Sequence, residues 1–189
     1  MLIQHEKSLL LVVDVQEKLA PAIFAAEAAV SNNVRLLTGA RQLGIPSFIS
    51  EQYVRGLGHS VAEIRNAATT ETKAGPAVDA HIFEKIHFSC AAESGVIEML
   101  RATGRQQVML TGMETHVCVL QTGLGLLAAG FDVFLVADAT SSRTLENKTA
   151  AIERLRACGG QIVTTEMVLF EWLVKAGTDE FRALLPLIK

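Results

Sequence analysis

The chain has 189 residues, half of them hydrophobic, and a formal net charge of −3 with its Lys and Arg scattered. That length supports one globular domain with a sizeable core, expected to span residues 1–189. The charge pattern excludes a basic stripe for nucleic acid and a polybasic patch for a membrane surface.

Taken from the N-terminus, His5, Glu6 and Lys7 precede an apolar run that stops at Asp14, too short for a secretory or membrane-spanning segment. A cytoplasmic protein is expected. Residues 9–13 read as a central strand with the Asp14 carboxylate at its carboxyl end. Residues 17–24 form a loop with a helical turn limited by Pro21, and 27–43 a helix with an apolar face stopped by Gly44. A second strand covers 46–50. Residues 51–75 read as a functional loop with a short helix at 61–68. The third strand, 80–85, leaves Lys85 near its carboxyl end, and a helix at 93–102 closes at Gly104.

The segment 107–130 is the centre of the pattern. Val108, Met109 and Leu110 form a buried strand ended by Thr111-Gly112. Leu120, Leu124, Leu127 and Ala128 then recur at helical spacing up to Gly130. Cys118 therefore falls near the first turn of a helix, where unpaired N–H groups and the positive end of the macrodipole favour a thiolate. A fifth strand at 132–137, a helix at 145–158, a sixth strand at 161–165 and helices at 166–175 and 179–185 complete the chain. Strands alternating with helices, without a hairpin signal, predict a single-domain α/β sandwich. Its six-stranded parallel sheet is doubly wound and Rossmann-like, in order 3-2-1-4-5-6, with helices on both faces.

Asp14, Lys85 and Cys118 all lie just beyond the carboxyl end of a predicted strand, the edge at which such sheets bind ligands. Singly, each has a common structural explanation: a helix cap, a solvated surface charge, a small buried hydrophobe. Together they are the parts of a base-assisted thiolate nucleophile. The Cys118 pKa is expected below the free value of about 8.5, and Cys90 and Cys158 are expected to react more slowly. The three cysteines include no C-x-x-C pair, so neither a disulfide framework nor a thiolate zinc site is expected. The G-x-G-x-x-A match at 123–128 is placed within a helix rather than directly after a strand. Its glycines therefore read as close-packing positions and not as a dinucleotide site.

Three motifs carry a resemblance: Val12-Val13-Asp14-Val15-Gln16; Glu84-Lys85 followed by Phe88-Ser89; and Gly112-Met113-Glu114-Thr115-His116-Val117-Cys118-Val119. Over nearly its whole length the chain resembles the isochorismatase-like cysteine hydrolases, a superfamily that includes nicotinamidases and N-carbamoylsarcosine amidase. The resemblance implies Asp14 as general base, Lys85 polarising the pair and Cys118 as nucleophile. It also implies a cis peptide at Met113–Glu114 and an oxyanion hole from the N–H groups of Glu114 and Cys118. Glu51-Gln52-Tyr53 with Gly56-Leu57-Gly58, and Asp138-Ala139 with Ser141-Ser142-Arg143, look closer to the isochorismatase-domain-containing subgroup.

The metal-binding Asp-x-His of nicotinamidases is missing after the second strand, where this chain reads Ser50-Glu51-Gln52-Tyr53-Val54. No metal and no cofactor are expected, and His59, His81 and His87 read as loop or surface residues. Gln16, Gln52, Tyr53, Phe88 and His116 are weaker candidates for the walls of a small-molecule pocket. The implied reaction is hydrolysis of a carboxamide or ureido C–N bond through an acyl-cysteine. The alternatives are vinyl-ether hydrolysis of the isochorismatase type and a non-catalytic binding protein on the same fold. The resemblance and the apolar stretch 168–174 also point to a homo-oligomer.

Overall fold

The computed structural model describes residues 1–69 and 79–188. Six parallel strands, β1 (Ser8–Val13), β2 (Ser47–Gln52), β3 (His81–Lys85), β4 (Gln107–Met113), β5 (Asp132–Ser141) and β6 (Gln161–Val163), form one sheet in the order β3-β2-β1-β4-β5-β6. The predicted order and parallel sense are those observed. The described residues form eight α-helices, α1 (Ala26–Gln42), α2 (Val54–Leu57), α3 (Ala62–Thr69), α4 (Val96–Ala102), α5 (Leu120–Ala128), α6 (Leu145–Ala157), α7 (Thr165–Leu173) and α8 (Asp179–Ile188). None of the described helices is long and apolar enough to cross a membrane.

Alternation along the strands divides the core. Leu10 and Val12 of β1, Met109 of β4 and Phe134 and Val136 of β5 pack with residues of α1, α3, α7 and α8. Leu9, Leu11 and Val13, with Val108, Leu110, Val133 and Leu135, face α4, α5 and α6. Because both faces are covered, the central strands carry unbroken apolar runs at residues 9–13, 108–110 and 133–136, and each fully buried aliphatic side chain stabilises by roughly 1.5–3 kcal/mol. Gly123 and Gly125 are indeed packing positions: a Cβ on Gly125 would come 2.6 Å from Ala91 Cβ, and one on Gly123 3.0 Å from Leu155 Cδ1. At Gly112 φ is +106°, and a Cβ would overlap the Val13 backbone, so only glycine fits where β4 meets β1.

The differences from the sequence reading lie at the edges of elements. β2 runs two residues beyond its predicted end, so Glu51 and Gln52 are buried strand residues. The remainder of the predicted loop holds α2 and α3, and its end at 70–75 lies outside the described residues. α4 starts three residues late because Gly95 takes a left-handed φ of +80° at its N-cap. β6 stops early because Thr164 leaves the strand to cap α7, accepting from Met167 N. The apolar stretch 168–174 is mostly core: Val168, Leu169, Trp172 and Leu173 are buried, and Trp172 Nε1 donates to Ser8 Oγ at 3.0 Å. Phe170 and Val174 alone of its large apolar side chains are exposed.

Candidate active site

Strand register brings the pieces together. Val13 pairs with Ser50 on one side and Gly112 on the other, and Gln52 pairs with Lys85. Asp14 therefore emerges from β1 beside the ends of β2 and β4. It has φ +51°, a left-handed conformation that a non-glycine residue adopts only where its surroundings hold it. After β4 the chain passes through a cis Met113–Glu114 peptide bond into a π-helical turn, Thr115–Val119, which continues as α5. Wide turns of this kind are frequent at functional sites. Cys118 lies in this turn rather than at a plain α-helix start.

The Asp14 carboxylate is fully buried. Its Oδ1 accepts from Ser50 Oγ at 2.7 Å and its Oδ2 from Lys85 Nζ at 2.7 Å, and the Cys118 thiol lies close enough for the two groups to shift each other's titration. Lys85 is 2% exposed, and its ammonium also meets Gln52 Oε1 at 2.6 Å and the carbonyls of Phe88 at 3.1 Å and His87 at 3.2 Å. Gln52 is held in turn, its Nε2 donating to Ile86 O at 2.7 Å. A buried ion pair is tolerable only with this degree of hydrogen bonding.

The electrostatics correct one sequence expectation. Burial pushes the Cys118 thiol well above its ordinary value, and the Asp14 charge adds to this, outweighing Lys85. The expected lowered pKa, argued from Lys85 and the helix end, is thus reversed, because Cys118 is 6% exposed and the Asp14 carboxylate acts on it more strongly than the Lys85 ammonium. Burial also raises Asp14, against the opposing pull of the Lys85 ammonium and the Ser50 hydroxyl. The resting cluster is a thiol beside a carboxylate of more than ordinary basicity. In brief iodoacetamide labelling at neutral pH, exposed Cys158 is accordingly expected to react before Cys118 and fully buried Cys90. Cys118 labelling should keep accelerating above the usual thiol pKa of about 8.5. Peptide mapping with Cys118 modified first would contradict this and indicate a resting thiolate.

The other candidates fall at different distances from the chemistry. Glu114 is buried, and its Oε2 accepts from the backbone N of Arg143 at 3.1 Å and from Nε at 2.9 Å. His116 Nδ1 lies 3.0 Å from Ser142 Oγ. Gln16 is fully buried, and its amide is spent on backbone groups: Nε2 donates to the carbonyls of Gln52 and Gly58, and Oε1 accepts from Gln52 N at 2.7 Å. It braces the end of β2. Tyr53 and Phe88 are exposed. Tyr53 has φ +39° next to the strand end.

His59 pairs with Glu51 at 2.9 Å and His87 with Glu93 at 3.0 Å, while His81 lies on β3. Among the described residues, no group of three or more His, Cys, Asp or Glu side chains is placed to hold a metal ion. Ser50 and Arg143 were not singled out from the sequence. Ser50 had a usable signal, since it ends the predicted second strand beside the one that ends at Asp14.

Residues 8–167 match the family model described as the isochorismatase domain. Isochorismatase domain-containing protein 1 of Danio rerio is 39% identical over 176 residues, covering 93% of this chain and 59% of that protein. The chain thus spans 59% of the length of that relative. The secreted isochorismatase effector Isc1 of Phytophthora sojae (strain P6497) is 37% identical over 191 residues, covering 100% of this chain and 87% of that protein. Among solved structures, one described as MAR1 ribonuclease from Caenorhabditis elegans superposes with a TM-score of 0.89 at 32% identity, covering 100% of this chain and 92% of that one.

Proposed function

The chain belongs to the isochorismatase family, and on that premise we propose that it is a cysteine hydrolase cleaving a C–N bond of a small carboxamide or ureido compound. The observation that carries this reading is the buried Asp14 carboxylate, fixed by Lys85 and Ser50 and electrostatically coupled to the buried Cys118 thiol beside it. A thiol next to its base is the arrangement a covalent mechanism needs. Vinyl-ether hydrolysis of the isochorismatase type does not depend on a nucleophilic cysteine.

In the proposed reaction Asp14 takes the thiol proton as the C–S bond forms, so no free thiolate need exist beforehand. The carbonyl oxygen becomes an oxyanion against the N–H groups of Glu114 and Cys118, where losing one donor costs about 3–4 kcal/mol of barrier. Asp14 then passes the proton to the leaving nitrogen, the C–N bond breaks, and ammonia or an amine departs. Water adds to the thioester while Asp14 accepts its proton. Collapse breaks the C–S bond, and Asp14 returns the proton to the departing thiolate, releasing the acid.

The ribonuclease description stays with the nematode protein: at a net charge of −3 without a basic stripe, this chain has little electrostatic hold on a phosphate backbone. The test is a panel of amides, ureido acids and isochorismate assayed for ammonia with wild type and Cys118→Ala. Ammonia from an amide or ureido acid, lost in Cys118→Ala, is expected. Isochorismate turnover that survives Cys118→Ala would replace this reading with vinyl-ether hydrolysis.

The reaction as proposed uses no metal-bound water. EDTA is therefore expected to leave the rate unchanged, and loss of activity restored by zinc would contradict the scheme. Self-association is part of the same proposal, with Phe170 and Val174 among the exposed apolar side chains available to it. Light scattering at micromolar concentration should then give a multiple of the monomer mass, and a monomer alone would rule out a stable assembly.

A further inference from the structure

One cavity lies away from the sheet edge that holds Cys118. It is a groove of about 850 Å³ between α1, α3 and the turn around Pro21, within the size range of small-molecule sites. Its wall is mainly apolar, built from Ala20, Val30, Val34 and Val61. Of its charged lining residues, Glu17, Glu27, Glu63 and Arg41, only Arg41 is buried. Arg41, in the last turn of α1, is 8% exposed, donates from Nη1 to Ala67 O at 2.9 Å, and has a buried Nε without a partner. None of the ion pairs among the described residues includes it. A guanidinium this buried, with one hydrogen bond and no counter-ion among the described residues, is unfavourable by itself. The fork geometry of Arg suits a carboxylate.

The charges elsewhere in the groove narrow the ligand further. Glu17 is occupied by Arg65 at 3.2 Å. Glu27 is in the first turn of α1, about 21 Å along the helix axis from Arg41. Glu63 is exposed in the first turn of α3. Between the Glu27 and Arg41 ends lies the valine wall. We propose that this groove is a binding site, separate from the Cys118 cluster, for a monocarboxylate with an apolar body. The carboxylate pairs with Arg41, and the body lies along Val34 and Val30. A second carboxylate would sit against that apolar wall or face Glu27, so dianions are disfavoured.

Isothermal titration with octanoate, 1-octanol and suberate below micellar concentrations tests the site. Octanoate should saturate one site on wild type and equally on Cys118→Ala, with 1-octanol and suberate weaker by about tenfold or more. Arg41→Met, which removes the cation, and Val30→Trp, which fills the groove, should each weaken octanoate by about tenfold or more. Several results would overturn the proposal: no saturable octanoate binding, 1-octanol or suberate as tight as octanoate, binding lost in Cys118→Ala, or unchanged affinity in Arg41→Met or Val30→Trp. Should Arg41→Met fail to fold, the three-ligand comparison on wild type and the Val30→Trp titration still decide. Neither depends on turnover, so failure here and failure of the hydrolase reading are distinguishable.

Discussion

Lys85→Met is expected to lower the unfolding free energy by about 3–5 kcal/mol at neutral pH and to abolish turnover, because it strands a buried carboxylate. Asp14 is fully buried, and after the substitution its only strong donor would be the Ser50 hydroxyl. Gln52 Oε1 and the carbonyls of His87 and Phe88 would lose the ammonium they share. The deficit should depend on pH in a defined sense. Burial already raises Asp14 above its unfolded value, and removing Lys85 raises it further. A carboxyl raised in the folded state contributes stability below its unfolded pKa and loses that contribution as pH rises through the folded pKa. The variant should therefore be most destabilised at neutral and alkaline pH and should recover part of the loss on acidification. Urea unfolding at several pH values measures this. A variant as stable as wild type at neutral pH would mean that the ion pair contributes nothing to the fold.

The second large effect concerns the base. Asp14→Asn keeps the shape of the side chain and leaves Lys85 an oxygen to donate to, but it cannot take a proton. General-base losses are typically about 10²–10⁴-fold, and the upper end is expected here because one carboxylate serves both half-reactions. Since the raised Asp14 must be ionised to act, kcat/KM of the wild type should fall on the acid side with a midpoint above the ordinary Asp value of about 3.9. Ser50→Ala should move that midpoint higher, because it removes a 2.7 Å hydrogen bond to the charged form. A purely structural role for Ser50 would change the rate without moving the midpoint. An Asp14→Asn enzyme of near wild-type activity would remove Asp14 from the mechanism.

How far the sequence could be read follows from what kind of signal each feature leaves. The strand order was legible because β1, β4 and β5 are apolar along much of their length, and because every strand is followed by helical periodicity. The convergence of Asp14, Lys85 and Cys118 was legible from the doubly wound topology, which puts strand ends at one edge. The end of β2 was not. Ser50, Glu51 and Gln52 are polar and resemble a loop, yet all three are buried, because Ser50 serves Asp14, Gln52 serves Lys85, and Glu51 accepts from Ser60 N and pairs with His59. Their partners are 8 to 36 residues away, and sequence spacing carries no trace of that. β5 continues to Ser141 for a similar reason: Thr140 Oγ1 donates to Gly112 O at 2.8 Å across the sheet. The raised pKa of Cys118 is illegible on the same ground, since the sequence places its charged neighbours but carries no trace of its burial.

The central claim is that Cys118 carries the acyl group. It is tested most directly by mixing the protein with the amide and ureido panel, quenching in acid, and weighing the Cys118 peptide. The account predicts a mass increase equal to the acyl portion of the substrate, accompanied by ammonia or amine release, and absent from Asp14→Asn. Turnover of an amide with the Cys118 peptide unmodified at every quench time, and persisting in Cys118→Ala, would contradict it.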